Sequence, residues 1–517
     1  MTSVIFRRVH DGPGWGWRQA AGRYWFEKRT YLDFDQKNTK TGLDFSLIMT
    51  RTGLDFSQIP RMIQRDYLMK RQLETQLRHW AKTMPRLPLI IRGARQVGKT
   101  FLIESVGREL FNQVITVNFE LTPTIKSCFE SLDPAHIIPK LEVHLNQRIT
   151  PENSLLFLDE IQECPQALMA LRYFKEKMPE LAVISAGSLL EFALEQEAFR
   201  MPVGRVKQLH LHPLSFMEFL AATQKTQRQA YLKKLTLSSP HDLTIHQILL
   251  EEVRHYLYIG GMPAVVQEYC NSHSLKQAES MQNAIIASYQ EDFGKYAAKA
   301  RVATLQFLYK KLPRFVGQQV KYAYIDPERK SRDLKNDLAL LLKAKIISPI
   351  FQSPASGVPL GAMVNDAIFK LLWMDVGLLQ NMCGLQLELM SPEQKPLQIN
   401  QGSITEQFVG QELLAYKNPE KDPELYFWKR AQKNSQAEVD YIIAIGNKIY
   451  PIEVKSGTTG SLKSLQLFLK EKPGALGIRI SEHPLSFDNN ILSIPLYLCS
   501  QIERLVAEAE QLIVRHQ

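Results

Sequence analysis

The chain is poor in cysteine. Its 517 residues hold five, Cys128, Cys164, Cys270, Cys383 and Cys499, and they stand far apart. No CxxC pair occurs, so neither a zinc ribbon nor a disulfide framework is expected. A reducing, cytoplasmic setting fits that usage. Long apolar runs are missing too. None approaches the roughly 18–20 residues that cross a bilayer, so no membrane partner is expected. The N-terminal stretch "MTSVIFRRVHDGPGWGW" lacks the basic-then-apolar order of a secretory signal. Residues 1–61 also lack any helical or strand period. "TGLDFS" occurs at Thr41–Ser46 and again at Thr52–Ser57, but two copies are too few for a solenoid. This extension is expected to have no fold of its own, or to be an over-extension of the reading frame.

What is present is ample apolar material and an excess of positive charge. Hydrophobic residues make up 45% of the chain. At roughly 100–200 residues per domain, several packed domains are expected. The formal net charge is +10, which favours an anionic partner such as DNA. Helical spacing begins after Met62, with Tyr67, Leu68, Leu73, Leu77 and Trp80 as its apolar positions.

"GARQVGKT", Gly93–Thr100, follows the apolar run Leu87-Pro88-Leu89-Ile90-Ile91. GxxxxGK[ST] between a strand and a helix is the P-loop pattern. Gly93 and Gly98 permit backbone angles that other residues resist. The N–H groups of Ala94, Arg95, Gln96 and Val97 can then point at phosphates. Lys99 adds positive charge for the β- and γ-phosphates of ATP, and Thr100 offers a hydroxyl to Mg2+. The helix that follows aims its positive end at the same anion.

A P-loop needs a second acidic strand for its metal. "SLLFLDE", Ser154–Glu160, supplies four apolar residues and then two acids. An apolar run of this kind reads as a buried parallel strand, and its carboxyl end is where ligands bind in open α/β sheets. Asp159 is expected to anchor the Mg2+ and Glu160 to polarise the attacking water. A DE pair at this place suits an ATP hydrolase. In "ELAVISAGSLL", Ser185 and Ser188 are candidate sensors of the γ-phosphate. Arg205, after Gly204, is a candidate trans-acting finger in a homo-oligomer.

"GARQVGKT", "LLFLDEIQ", "ISAGSLLEF", "VGRVKQLHLHPLSFMEFL" and "GGMPAVV" (Gly260–Val266) come in this order. Together they resemble a family of prokaryotic AAA-type ATPases whose members carry a C-terminal domain of unknown function, number 4143. The resemblance runs from about Met62 to near the C-terminus. It implies a P-loop NTPase core, a helical lid and a winged helix, and it implies no substrate.

The middle of the chain is read as a lid over residues 213–299, after a core at 62–212. Residues 300–355, with "SRDLKNDLALLLKAKI" and then "IISPIF", read as a winged-helix-like module. Lys330, Arg332, Lys335 and Lys343 on that helix are candidates for contact with DNA.

The remainder, 356–517, contains "EVDYIIAIGNKIYPIEVKSG" from Glu438 to Gly457. Gly446-Asn447 is a two-residue hairpin signal. That turn sets Ile445 opposite Lys448, Asp440 opposite Glu453 and Glu438 opposite Lys455. Cross-strand partners share a face, so two carboxylates and Lys455 gather there. Carboxylates suit a hard divalent cation. The trio resembles the PD-(D/E)xK nuclease core, with Asp440, Glu453 and Lys455 in the motif positions. The resemblance also implies a helical glutamate, for which "ITEQFVGQELLAY" offers Glu406. The fold class expected is therefore α/β, with a C-terminal α/β nuclease-like domain. Three functions follow as expectations, one of them a nuclease whose ATPase part is regulatory. Another is an Mg-dependent ATPase coupled to DNA handling. The third is an ATP-gated assembly module whose nuclease-like domain is inactive.

Overall fold

The computed structural model describes residues 17–20, 23–26, 30–32, 69–194, 204–240, 242–384, 401–432, 435–458 and 460–516. The "TGLDFS" repeat, Tyr67 and Leu68 lie outside them. The chain forms two units, Met1–Asp66 and Tyr67–Gln517. The first contains β1 (Trp17–Ala20), β2 (Arg23–Phe26) and β3 (Thr30–Leu32), paired antiparallel in that order. Strands of four and three residues leave no visible alternation in a sequence, which is why residues 1–61 read as structureless.

The second unit opens with the helix Leu73–Lys82, which buries Leu73, Leu77 and Trp80 as their spacing predicts. A five-stranded sheet follows. Its strands are β4 (Leu89–Arg92), β5 (Gln113–Asn118), β6 (Ser154–Asp159), β7 (Ala182–Ala186) and β8 (Lys207–His210). They lie in the order β5-β6-β7-β4-β8, and every neighbour is parallel. Parallel strands need cover on both faces, and alternate residues provide it. Ile90, Leu156, Leu158 and Val183 pack to one side with the helices Pro134–Leu145 and Pro165–Lys177. Leu89, Ile91, Leu155, Phe157 and Ile184 pack to the other with Lys99–Leu110. Strand β7 sits between β4 and β6, so its carboxyl end emerges between the P-loop and the acidic pair.

After the sheet the chain is helical: Phe216–Ala222, Thr226–Lys234, Leu243–Ile259, Pro263–Ser272 and Leu275–Tyr296. Ser215 and Glu218 form a capping box at the start of the first of these helices. Gly260-Gly261 ends one helix and Pro263 starts the next. The helices Lys299–Lys311 and Ser331–Lys343 lead to β9 (Ile347–Gln352) and β10 (Asn365–Trp373), an antiparallel pair.

That pair does not stand alone. Strand β9 also pairs in parallel with β11 (Leu425–Lys429). The sheet continues through β12 (Glu438–Ile445), β13 (Lys448–Val454), β14 (Gly477–Ser481), β15 (Ser486–Asp488) and β16 (Ile491–Pro495), in the order β10-β9-β11-β12-β13-β14-β16-β15. A boundary after residue 355 thus falls inside one hydrogen-bonded sheet. The helix Gln401–Ala415 packs on β10, β11 and β13.

Candidate active site and C-terminal ion-pair cluster

Strand β4 delivers the chain into a loop that only glycine can open. Gly93 has φ 149°, and a Cβ there would lie 2.2 Å from the Leu211 carbonyl oxygen. Gly98, at φ 88°, then admits the helix Lys99–Leu110. Lys99 is buried, and its Nζ donates to the carbonyls of Gly93 at 3.0 Å and Ala94 at 2.8 Å. Thr100 Oγ1 donates to Asp159 Oδ2 at 3.2 Å. Asn118 Nδ2, at the end of β5, reaches the same oxygen at 3.2 Å.

Glu160 stands in the left-handed region at φ 50°, a strained setting common at functional sites. Its Oε2 accepts from Gln162 Nε2 at 2.7 Å, and from Ser188 N and Oγ at 3.5 Å each. The structure thus brings Lys99, Thr100, Asp159, Glu160 and Ser188 to one sheet edge. Ser185 is not among them: it is fully buried and its Oγ donates to the Leu89 carbonyl, tying β7 to β4. Arg205 is elsewhere as well. Its Nε meets Glu176 Oε1 at 3.0 Å, and its side chain is 42% exposed.

Two struts hold the loop from outside. The helix Leu275–Tyr296 lies along it: Tyr289 hydroxyl donates to the Arg95 carbonyl at 2.5 Å, Gln96 Nε2 donates to Ser288 Oγ at 2.8 Å, and Arg95 pairs with Asp292. Arg71, itself buried, donates from Nη1 to the Val97 carbonyl at 3.0 Å and from Nη2 to the His212 carbonyl at 2.5 Å, with Nε on Glu218 at 3.1 Å.

The C-terminal hairpin turns at Gly446-Asn447 with Ile445 opposite Lys448, the register read from sequence. The ladder ends at Tyr441 opposite Ile452. One step on, Asp440 Oδ2 accepts the Val454 N–H at 2.7 Å. Lys455 Nζ meets Glu453 Oε1 at 2.6 Å. Glu438 is not opposite Lys455. The β12–β13 ladder stops before it, and on the other edge of β12 Glu438 pairs with Lys429 of β11. At the centre lies a residue that sequence reading missed, Lys370 of β10, with its side chain 1% exposed. Its Nζ is 2.9 Å from Glu406 Oε1, 2.6 Å from Glu438 Oε1 and 3.9 Å from Asp440 Oδ1. Gln319 Nε2 donates to Glu438 Oε2 at 2.7 Å.

Comparison with known families decides the assignment. The AAA domain family matches residues 85–220, and the domain of unknown function DUF4143 matches 401–498. The chain carries an AAA-type P-loop ATPase domain followed by a DUF4143 domain. A second domain of unknown function, DUF8612, matches 250–389 between them. No curated protein matches the chain. Among solved structures, a Walker-type ATPase of Pyrococcus abyssi is 14% identical, covers 62% of this chain and 97% of its own, and gives a TM-score of 0.40. The Aeropyrum pernix Orc1 protein in complex with DNA is 14% identical, with coverages of 62% and 95% and a TM-score of 0.26. RuvB of Thermotoga maritima is 13% identical, with coverages of 58% and 96% and a TM-score of 0.26. At such scores these likenesses carry no functional argument.

The electrostatics of the two domains differ. In the AAA domain, burial pushes the Lys99 ammonium down to about 8, against the pull of Glu160 and Asp159. Burial and the neighbouring Glu160 raise the Asp159 carboxyl. In the DUF4143 cluster, burial works to lower Lys370, yet Glu406, Asp440 and Glu438 outweigh it and hold the ammonium charged above its ordinary range. Burial raises Glu406, Asp440 and Glu453 in turn, with Lys370 opposing. One oxygen, Glu453 Oε2, is buried without a hydrogen-bond partner. Among the described residues, no group of three His, Cys, Asp or Glu is arranged to hold a metal ion, and no helix is long and apolar enough to cross a membrane.

Proposed function

We propose that the AAA domain hydrolyses ATP with Mg2+ and passes its nucleotide state to the DUF4143 domain. The observation that carries this is the meeting of the Thr100 hydroxyl with the Asp159 carboxylate at 3.2 Å, beside Glu160. These hard oxygen donors fit a magnesium ion. Such an ion, when bound, neutralises charge on the phosphates. Lys99 then exchanges the Gly93 and Ala94 carbonyls for phosphate oxygens. Glu160, oriented by Gln162 and Ser188, accepts the proton of a water as it attacks the γ-phosphorus and the bond to ADP breaks. Lys99→Ala should abolish measurable ATP binding and turnover in a filter assay. Full binding by that variant would defeat the reading. Arg205, exposed beside Glu176, is proposed to complete a neighbouring site. If so, mixing Arg205→Ala chains with Glu160→Gln chains restores turnover that neither has alone; no recovery would remove the finger.

A chain of neighbouring groups runs between the domains. A Cβ on Gly98 would touch Pro263 at 3.4 Å. Next to Pro263 in the chain, the Gly261 N–H donates to Asp375 Oδ2 at 2.6 Å, and the Val376 N–H donates to Gln411 Oε1 at 2.9 Å. Gln411 and Glu406 share the helix Gln401–Ala415. A change at the P-loop therefore has a packed path to the acidic cluster.

A second reading is an ATP-gated assembly module with a silent nuclease-like domain. Lys370 is the observation that favours it. In the nuclease reading, Asp440, Glu453 and Glu406 hold a divalent ion beside Lys455. That set does not fit the ion, because the Lys370 ammonium already sits on Glu406 and approaches Asp440. DNA contact remains open to the exposed Arg332 and Lys335 on the helix Ser331–Lys343. A salt-dependent loss of DNA binding on substituting both would support it, and unchanged binding would exclude that face.

A further inference from the structure

We infer that the Lys370 ammonium is the resident cation of the DUF4143 cluster, standing where a divalent metal would otherwise sit, so that the cluster assembles without metal. The inference does not rest on the ATPase reading. Its ground is the convergence of three carboxylates on one nitrogen. Glu406 comes from the helix Gln401–Ala415, and Glu438 and Asp440 come from β12. Carboxylates brought this close repel unless a cation stands among them. Lys370 supplies it from a third element, β10.

Three features make this a fixed cation rather than a passing surface pair. The side chain is 1% exposed. Its Nζ lies 5.2 Å from the centre of the Phe427 ring, a favourable place for an ammonium. The second oxygens of two of its three partners are also taken: Glu438 Oε2 by Gln319, and Asp440 Oδ2 by the Val454 N–H. An ammonium offers three donors from one compact charge. Two are directed at Glu406 and Glu438 at 2.9 and 2.6 Å, and Asp440 stands beyond them at 3.9 Å. A divalent ion needs several of these same oxygens at roughly 2.0–2.6 Å. It cannot share them with the ammonium. Glu453, the remaining acid, has one oxygen on Lys455 and one orphaned, and a single oxygen is no chelate.

The test counts Mn2+ ions bound to the full-length, nucleotide-free chain by electron paramagnetic resonance. Wild type and Asp440→Asn should bind equally. Lys370→Met should gain about one Mn2+ per chain, and Lys370→Met/Asp440→Asn should lose it again. A wild type that binds one ion more than Asp440→Asn would overturn the inference. So would a folded Lys370→Met that gains none. Should Lys370→Met fail to fold, Lys370→Met/Glu406→Gln, which removes one of the freed charges, carries the gain arm. The comparison of wild type with Asp440→Asn decides the matter independently. ATP turnover by the wild-type chain is read in parallel: its absence, with the Mn2+ counts as expected, would count against the ATPase reading alone.

Discussion

Two buried lysines mark the two candidate sites of this molecule. Lys99 in the AAA domain and Lys370, which reaches the DUF4143 carboxylates from β10 within the DUF8612 match, are both almost shut off from solvent. Burial alone penalises each charge in the same direction. What differs is the partner. Lys99 donates to two backbone carbonyls, and its ammonium is driven down to about 8. Lys370 faces three carboxylates and is driven up. A lysine on neutral carbonyls keeps a charge that can attract an anion. A lysine among carboxylates is already neutralised. The same residue type is thus an unmet demand at one site and a met one at the other. That contrast is why the first site is read as a place of chemistry and the second as a structural or binding centre.

The largest expected effect tests the chemistry at the first site. Glu160→Gln keeps the shape of the side chain and its contact with Gln162 but removes the proton acceptor. ATP turnover should fall about 10²–10⁴-fold, with ATP affinity nearly unchanged, measured by single-turnover kinetics and equilibrium binding. Turnover at the parent rate would mean that another group handles the proton.

Lys370→Ala tests the second site. Removing one partner of a buried pair leaves charges uncompensated and costs about 3–5 kcal/mol. Urea unfolding should show that loss, and ATP binding by the folded fraction should persist. A loss below about 1 kcal/mol would place the cluster in the class of exposed pairs and erase the contrast with Lys99.

The two sites were not equally legible in the sequence. The P-loop is a contiguous motif whose residues act within one turn of chain, so Gly93 to Thr100 announce themselves. Asp159 and Glu160 follow an apolar strand that can only be interior. The hairpin register was readable for the same reason, since Gly446-Asn447 fixes it locally. Lys370 was not. It sits in the apolar run "NDAIFKLLW" and meets Glu406, 36 residues away, only through the tertiary fold. Arg71 is similar: it reaches the Val97 carbonyl through the fold, from outside the P-loop motif. Glu438 was misplaced because the β12–β13 ladder ends at Tyr441 opposite Ile452 and β13 ends at Val454, so the turn's register does not carry as far as Lys455.

The smallest expected effect bears directly on the Lys99 side of the contrast, and its sign follows from the proton balance. In the nucleotide-free chain Lys99 titrates near about 8, because burial outweighs the pull of Glu160 and Asp159. Phosphate oxygens bind the charged form, so the bound state holds the proton to higher pH. Below about pH 8 the ammonium is already charged, and binding takes up no proton at Lys99. Above it the free lysine is neutral, and each binding event must recruit one proton. Affinity then falls about tenfold for each unit of pH. Between pH 7 and pH 9 the Kd for ATP should rise by about tenfold. Titration calorimetry at pH 9 in two buffers of different ionisation heat should show uptake of close to one proton, and almost none at pH 7. Lys370, held charged by its carboxylates, contributes nothing over this range. An affinity that stays flat to pH 9 would mean that Lys99 is as firmly charged as Lys370, and the distinction between a waiting lysine and a satisfied one would fail at its first site.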